Sequence, residues 1–188
     1  MLNPHNKIVL LDRDGVVNID SDAYIKSAEE WHPIPGSLEA MARLSRAGYR
    51  LFIVTNQSGL ARQLFSPNDL EAMHAKMRTL LNQFGGTITD IAYCPHHPED
   101  NCRCRKPKTG LLDLLQKRHE ISFTGVPFVG DSLKDLDCAA AVGANQNLVL
   151  TGKGQKTLAK LTYQQPERLK PLPVYNNLYH AVETWFTL

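Results

Sequence analysis

Residues 7–12 form a short apolar run rich in Ile, Val and Leu that stops at Asp12, as a strand buried on both faces does. After Pro35-Gly36, Leu38, Met41, Ala42 and Leu44 recur at helical spacing, which predicts a helix over 37–47 ended by Gly48. Leu51 to Val54 reads as a second strand. Ser66-Pro67-Asn68-Asp69 opens a long helix whose inner face is Leu70, Met73, Met77, Leu80 and Leu81, and Gly85-Gly86 closes it. The alternation continues with a strand over 88–93, a helix over 109–119, a strand over 127–130, a helix over 133–142 and a fifth strand over 148–150. Thr151-Gly152-Lys153-Gly154 reads as a loop, 158–173 as polar chain punctuated by proline, and Tyr179 to Phe186 as a closing helix. Strands alternating with helices predict an α/β fold, a Rossmann-like doubly wound parallel sheet. Ligands of such sheets bind beyond the carboxyl ends of the strands. Asp12, Thr55 and Asp131 all stand at those predicted ends, so they share one rim.

The 188 residues fit a single domain over 1–188 with short insert loops. No insertion of ~60 residues separates the first strands, so no separate cap domain is expected. With 43% hydrophobic residues and no apolar run of ~18, the chain reads as soluble. Asn3-Pro4-His5-Asn6 lacks the order of a signal peptide, which leaves a cytoplasmic location. The net charge of +2 is too mild for a nucleic-acid surface, so neither nucleic acid nor membrane is an expected partner. The expectation is a monomer acting on a small anion.

Four signals follow one another: Leu11-Asp12-Arg13-Asp14-Gly15, Val54-Thr55-Asn56, Arg105-Lys106-Pro107, and Gly130-Asp131-Ser132 with Asp135 behind. Each alone has an ordinary explanation. Asp12 and Asp14 could cap a turn, Thr55-Asn56 could end a strand, Lys106 could be a solvated charge and Asp131 a helix cap. Together they supply what phosphoryl transfer needs. A carboxylate such as Asp12 attacking a phosphate dianion is repelled by it, so Mg²⁺ held by Asp12 and Asp131 and an ammonium such as Lys106 are required companions. Asp14, two residues on, can protonate the leaving alkoxide and then act as base for the water that hydrolyses an aspartyl-phosphate. Thr55 can hold nonbridging oxygens.

Cys94-Pro95-His96 and Cys102-Arg103-Cys104 supply three thiolates and an imidazole, the donors of a tetrahedral Zn²⁺ site, with a reduced-thiol loop or a disulfide as alternatives. His97 is the competing imidazole. Four protein ligands leave no open position, so such a zinc is structural, and its place in 94–104 would fix Arg105 and Lys106. Cys138 reads as a small buried residue, Trp31 as packing, and His74 and His119 as surface or dipole-compensating groups. Tyr24 either edges a pocket or packs.

The order of these motifs resembles that of the haloacid dehalogenase (HAD) superfamily of aspartate-nucleophile phosphatases over residues 7 to about 150. Within it, Asp12-Arg13-Asp14-Gly15-Val16-Val17-Asn18, Thr55-Asn56-Gln57-Ser58-Gly59 and Cys102-Arg103-Cys104-Arg105-Lys106-Pro107 look like the heptose-bisphosphate 7-phosphatases. Histidinol-phosphate phosphatases share much of this pattern, and the short gap between His96 and Cys102 is similar to theirs. The resemblance implies a sugar bisphosphate substrate and catalytic residues Asp12, Asp14, Thr55 and Lys106. It further implies Mg²⁺ on Asp12, the Asp14 main-chain carbonyl and Asp131, with Asp135 supporting the loop, and structural Zn²⁺ on Cys94, His96, Cys102 and Cys104. Substrate would be lined by Arg13, Asp20, Ser21, Asp22, Ala23, Asn56, Gln57, Ser58 and Arg105. A contrasting possibility is a zinc-stabilised phosphate-binding module without turnover.

Overall fold

Residues 7–187 are described by a computed structural model; the lead-in Asn3-Pro4-His5-Asn6 lies outside them. Six parallel strands form one sheet in the order β3-β2-β1-β4-β5-β6: β1 Ile8–Leu11, β2 Arg50–Asn56, β3 Asp90–Cys94, β4 Pro127–Gly130, β5 Asn145–Val149 and β6 Val174–Tyr175. Every residue of β1 and β4 is buried, as their apolar runs require. Helices cover both faces. On one side α1 (Ser37–Arg46), α2 (Pro67–Gln83) and α6 (Leu178–Thr187) pack around Trp31, Met41, Met73 and Trp185. On the other, α3 (Gly110–His119) and α4 (Leu133–Ala141) bury Leu111, Leu115 and Cys138 against Phe52 and Phe128.

Local chemistry sets the helix starts. Ser66 and Asp69 form a reciprocal capping box ahead of Pro67 at α2, which satisfies otherwise orphaned N–H groups. At α4 the cap is Ser132, whose N–H and hydroxyl both donate to Asp135 Oδ2 at 3.0 and 2.6 Å. Asp131 is therefore released from capping and stands just beyond β4, free to face the rim.

Two differences from the sequence pattern matter. Strand β5 begins at Asn145, three residues before the apolar run, because its polar residues still pair through the backbone with β4, Asn145 opposite Pro127. The polar tail also contains a sixth strand and an additional helix, α5 (Gly154–Gln164), whose Leu161 joins Leu136, Leu148 and Leu172 in a small core. Sparse apolar spacing hid both. The insert after β1 folds back on itself through Ile19 N–H to His32 O and Ile34 N–H to Val17 O, and it is anchored by fully buried Trp31. Lys76 of α2 donates to Ala28 O and Trp31 O, tying the insert down. Among the described residues, no helix is long and apolar enough to cross a membrane.

Candidate active site

The carboxyl ends of β1, β2 and β4 open into a cavity of about 400 Å³ lined by Asp12, Asp14, Thr55, Lys106 and Asp131. Of the residues expected on its substrate side, Arg13, Asp20, Ser21, Asp22, Asn56, Gln57, Ser58 and Arg105 line it, and Ala23 lies between Asp22 and Tyr24, which both line it. Ala23 is exposed, and its N–H donates to Ser21 Oγ at 3.1 Å. Tyr24 and Ile25 add to the lining.

Lys106 is the electrostatic centre. Its Nζ lies 2.9 Å from Asp12 Oδ1, 2.6 Å from Asp135 Oδ1 and 2.7 Å from Val54 O, three acceptors for its three protons. Burial works against its charge, but Asp12 and Asp135 outweigh burial and raise its pKa. It is no solvated charge. Asn56 clamps its backbone from both sides, accepting from Lys106 N at 3.0 Å and donating to Lys106 O at 3.2 Å. Asn56, read from sequence as a substrate contact, thus also builds the lysine's perch.

Asp14 sits in a denser web. Arg13 contacts its Oδ1 at 2.9 Å, Asn18 donates to Oδ1 at 3.0 Å, and Gln57 donates to Oδ2 at 2.7 Å. Burial works upward on its pKa, but Arg13 and these hydrogen bonds prevail and hold the carboxyl below its ordinary range. Asp12 shows the opposite balance. Burial, reinforced by Asp135, Asp131 and Asp14 and opposed by Lys106, holds it well above the usual carboxylate range. Asp131 is pushed up to about 7 by burial and by Asp135.

Among the described residues, Asp12, Asp14, Asp131 and Asp135 have Lys106 and Arg13 as their buried cations, and a phosphate would add more negative charge. Oxygens of Asp12, Asp131 and Asp135 lie within 4.8 Å of one another, all buried. Hard oxygen donors at that separation fit a small divalent cation such as Mg²⁺. Close approach is enforced by Gly15 at φ 84°, where a Cβ would collide with the Asp131 carboxylate.

The second donor cluster stands beside the first. Sγ of Cys94 lies 3.6 Å from Cys102 and 3.3 Å from Cys104, while His96 Nδ1 lies 3.1 Å from Cys104. All four donor atoms fall within 4.8 Å. A tetrahedron with arms of about 2.3 Å has edges of about 3.7 Å, so the donors fit Zn²⁺. His97 drops out as a competitor: its ring pairs with Glu99 and its N–H with Asp100. Cys94 ends β3 opposite Asn56, so the cluster is rooted in the sheet next to the clamp on Lys106.

Comparison with known proteins agrees with this geometry. A family model described as HAD-hydrolase-like matches residues 103–181. D-glycero-beta-D-manno-heptose-1,7-bisphosphate 7-phosphatase of Pseudomonas putida is 54% identical over 82% of this chain and 88% of its own length. The Pseudomonas aeruginosa protein of that name is 52% identical over 81% and 86%. The chain belongs to the HAD-like phosphatases. Its fold superposes on D,D-heptose 1,7-bisphosphate phosphatase of Bordetella bronchiseptica, crystallised with magnesium and phosphate, with TM-score 0.89 and 46% identity over 96% of this chain and 98% of that one. As a member of this family, the chain is a phosphoric monoester hydrolase.

Sequence reasoning missed two parts of this HAD-like phosphatase site. The first is the loop before α5. Lys153 N–H donates to Asp131 Oδ2 at 2.7 Å, Thr157 to Asp131 O at 2.8 Å, and Thr151 to Gly15 O at 2.6 Å. Gly152 leaves room for that carboxylate, and Lys153 Nζ reaches Asp20 at 3.0 Å. The Gly-Lys-Gly signal was legible, but its contact with Asp131 is tertiary. The second is His74, expected at the surface but only 2% exposed, with Nε2 3.4 Å from Arg13 Nη1. His119 is likewise part-buried, held by Asp90 at 2.8 Å.

His74 should make the fold acid-sensitive. Burial, with Arg13 and Arg78 and against Asp14, drives its pKa down to about 3 from an ordinary 6.5. The unfolded chain therefore binds a proton that the fold refuses. The stability linked to His74 is complete above pH 6.5 and is lost as pH falls from there toward 3. Urea titrations across this range should show a steeper acid loss in wild type than in His74→Gln, and equal slopes would refute the linkage.

Proposed function

We propose that this HAD-like phosphatase removes the C7 phosphate of D-glycero-D-manno-heptose 1,7-bisphosphate through an aspartyl-phosphate intermediate. The observation that carries the substrate is the 54% identity to the P. putida 7-phosphatase over 88% of that protein. The geometry supports the steps. Asp12 receives Arg13 N–H and Lys106 on Oδ1 alone, which leaves Oδ2 as the attacking oxygen. It bonds to phosphorus as the bond to the sugar oxygen breaks, and Asp14, an anion until the phosphate dianion enters beside it, takes up a proton there and passes it to the alkoxide. Asp14, now ionised, takes a proton from the water that attacks phosphorus, releasing inorganic phosphate and restoring Asp12. Thr55 holds a nonbridging oxygen during both transfers, and Lys106 sets its positive charge beside the phosphate. Asp12, Asp131 and the Asp14 main-chain carbonyl would hold Mg²⁺, whose charge would neutralise that of the phosphate.

A second anionic group finds a receptor at the rim. Arg105 lines the cavity with a buried Nη1 that has no hydrogen-bond partner. Lys134 lines it too, its pKa lowered by burial and by the charges of Arg105 and Lys153. An anion there relieves the crowding of cations, which fits the other phosphate of a bisphosphate. Side-by-side kinetics should give a kcat/KM for the heptose bisphosphate at least ~10-fold above that for histidinol phosphate, since a charge-assisted hydrogen bond contributes ~1.5–3 kcal/mol. Arg105→Ala should erase most of that preference through KM. Preference for histidinol phosphate would overturn the substrate, and release of phosphate from no sugar phosphate would favour a binding module.

A further inference from the structure

Histidine 74 occupies a core-facing position of α2, in line with Leu70, Met73, Met77 and Leu81, where an apolar residue would be ordinary. Its partner there is Arg13, itself 1% exposed and set between the two catalytic carboxylates in sequence. Four of the five N–H groups of that guanidinium point at acceptors among the described residues. Nε donates to Asp14 Oδ1 at 3.2 Å, and Nη2 donates to Oδ1 at 2.9 Å and Oδ2 at 3.1 Å. Nη1 has His74 Nε2 as its acceptor at 3.4 Å.

A guanidinium only donates, so the contact requires a lone pair on Nε2 and the neutral imidazole with its proton on Nδ1. Burial and the Arg13 charge favour that form. Without the ring, Nη1 of this buried side chain would lose its acceptor among the described residues, and the guanidinium would turn to find another. Three of its bonds fall on Asp14, so that carboxylate would be left to Asn18 and Gln57 and would be less sharply oriented. We propose that His74 is a positioning residue for the reaction: its Nε2 anchors Arg13, and Arg13 in turn orients the Asp14 carboxyl toward the leaving oxygen. The inference rests on Asp14 as the general acid.

The dependence on leaving group separates this role from a structural one. kcat/KM reports the steps up to release of the alcohol, where an alkyl leaving group needs a proton and p-nitrophenolate does not. General acid catalysis contributes ~10²–10⁴-fold, so partial misorientation in His74→Leu should lower kcat/KM for the sugar phosphate ~10-fold and for p-nitrophenyl phosphate ~2-fold or less. Gln at 74 can present an acceptor to Nη1 and should restore the sugar-phosphate value. Asn, polar but too short to reach, should behave as Leu does, which keeps the comparison intact should Leu fail to fold. An equal loss on both substrates, or no recovery with Gln, would overturn the role of His74. Asp14→Asn serves as the reference: if it fails to discriminate between the substrates, the assignment of Asp14 as acid falls; if it discriminates and His74→Asn does not, the positioning role falls alone.

Discussion

Asp12→Asn should reduce phosphate release at least ~10⁴-fold while leaving the fold intact, because removing a nucleophile eliminates the covalent route and not merely a contact. The amide retains an oxygen able to accept from Lys106 and Arg13, so the anchoring of both survives. Lys106 also keeps Asp135 and Val54 O, so no buried charge is stranded. Asp12 is already costly as an anion, held above its normal range by burial and by three neighbouring carboxylates. Its neutralisation should therefore leave the melting temperature unchanged or slightly raised. Calorimetry and zinc content report fold and loop, and a phosphate-release assay reports turnover. Wild-type protein with Mg²⁺ and BeF₃⁻ should carry the trapped adduct on Asp12, and the Asn variant none. Retention of more than ~1% activity in the variant would remove Asp12 as nucleophile.

Cys102→Ser should lose zinc, stability and activity together. A serine hydroxyl is not ionised at neutral pH and gives a poor ligand, so the four-donor set becomes three. Cys102 and Cys104 would keep their packing against the core under α3, so the loss is partial. A loss of ~2–3 kcal/mol corresponds to a fall of ~5–10 °C in Tm for a domain of this size. Kinetics should follow because Lys106 lies two residues beyond Cys104, and a displacement near 1 Å of a charge aimed at phosphate costs ~10²-fold. Metal analysis, calorimetry and kcat/KM on one preparation test this. Zinc loss with full activity would show that the clamp from Asn56 suffices to place Lys106.

The order of the rim residues was legible in the sequence for a physical reason. A buried parallel strand must end where its apolar run ends, and the first polar residue after it faces the rim, so Asp12 and Asp131 could be placed from local pattern. The helices announced themselves through caps and spacing, as at Ser66 to Asp69. The tail did not. Its strand β6 is two residues long and its helix α5 buries few side chains, so neither leaves a periodic trace. The polar start of β5 was hidden because backbone pairing does not depend on side-chain polarity.

By itself, then, the sequence determined the alternating architecture, the rim and the donor types for two metals, since these follow from short-range periodicity and side-chain chemistry. Tertiary structure decided the partners. It selected His96 over His97, made Asp135 both helix cap and ion-pair partner of Lys106, and carried Lys153 and Thr157 of the tail to Asp131. It also buried His74 against Arg13. Such contacts join residues far apart in the chain, and a pairwise energy between distant side chains exists only after the sheet has brought them within a few ångströms.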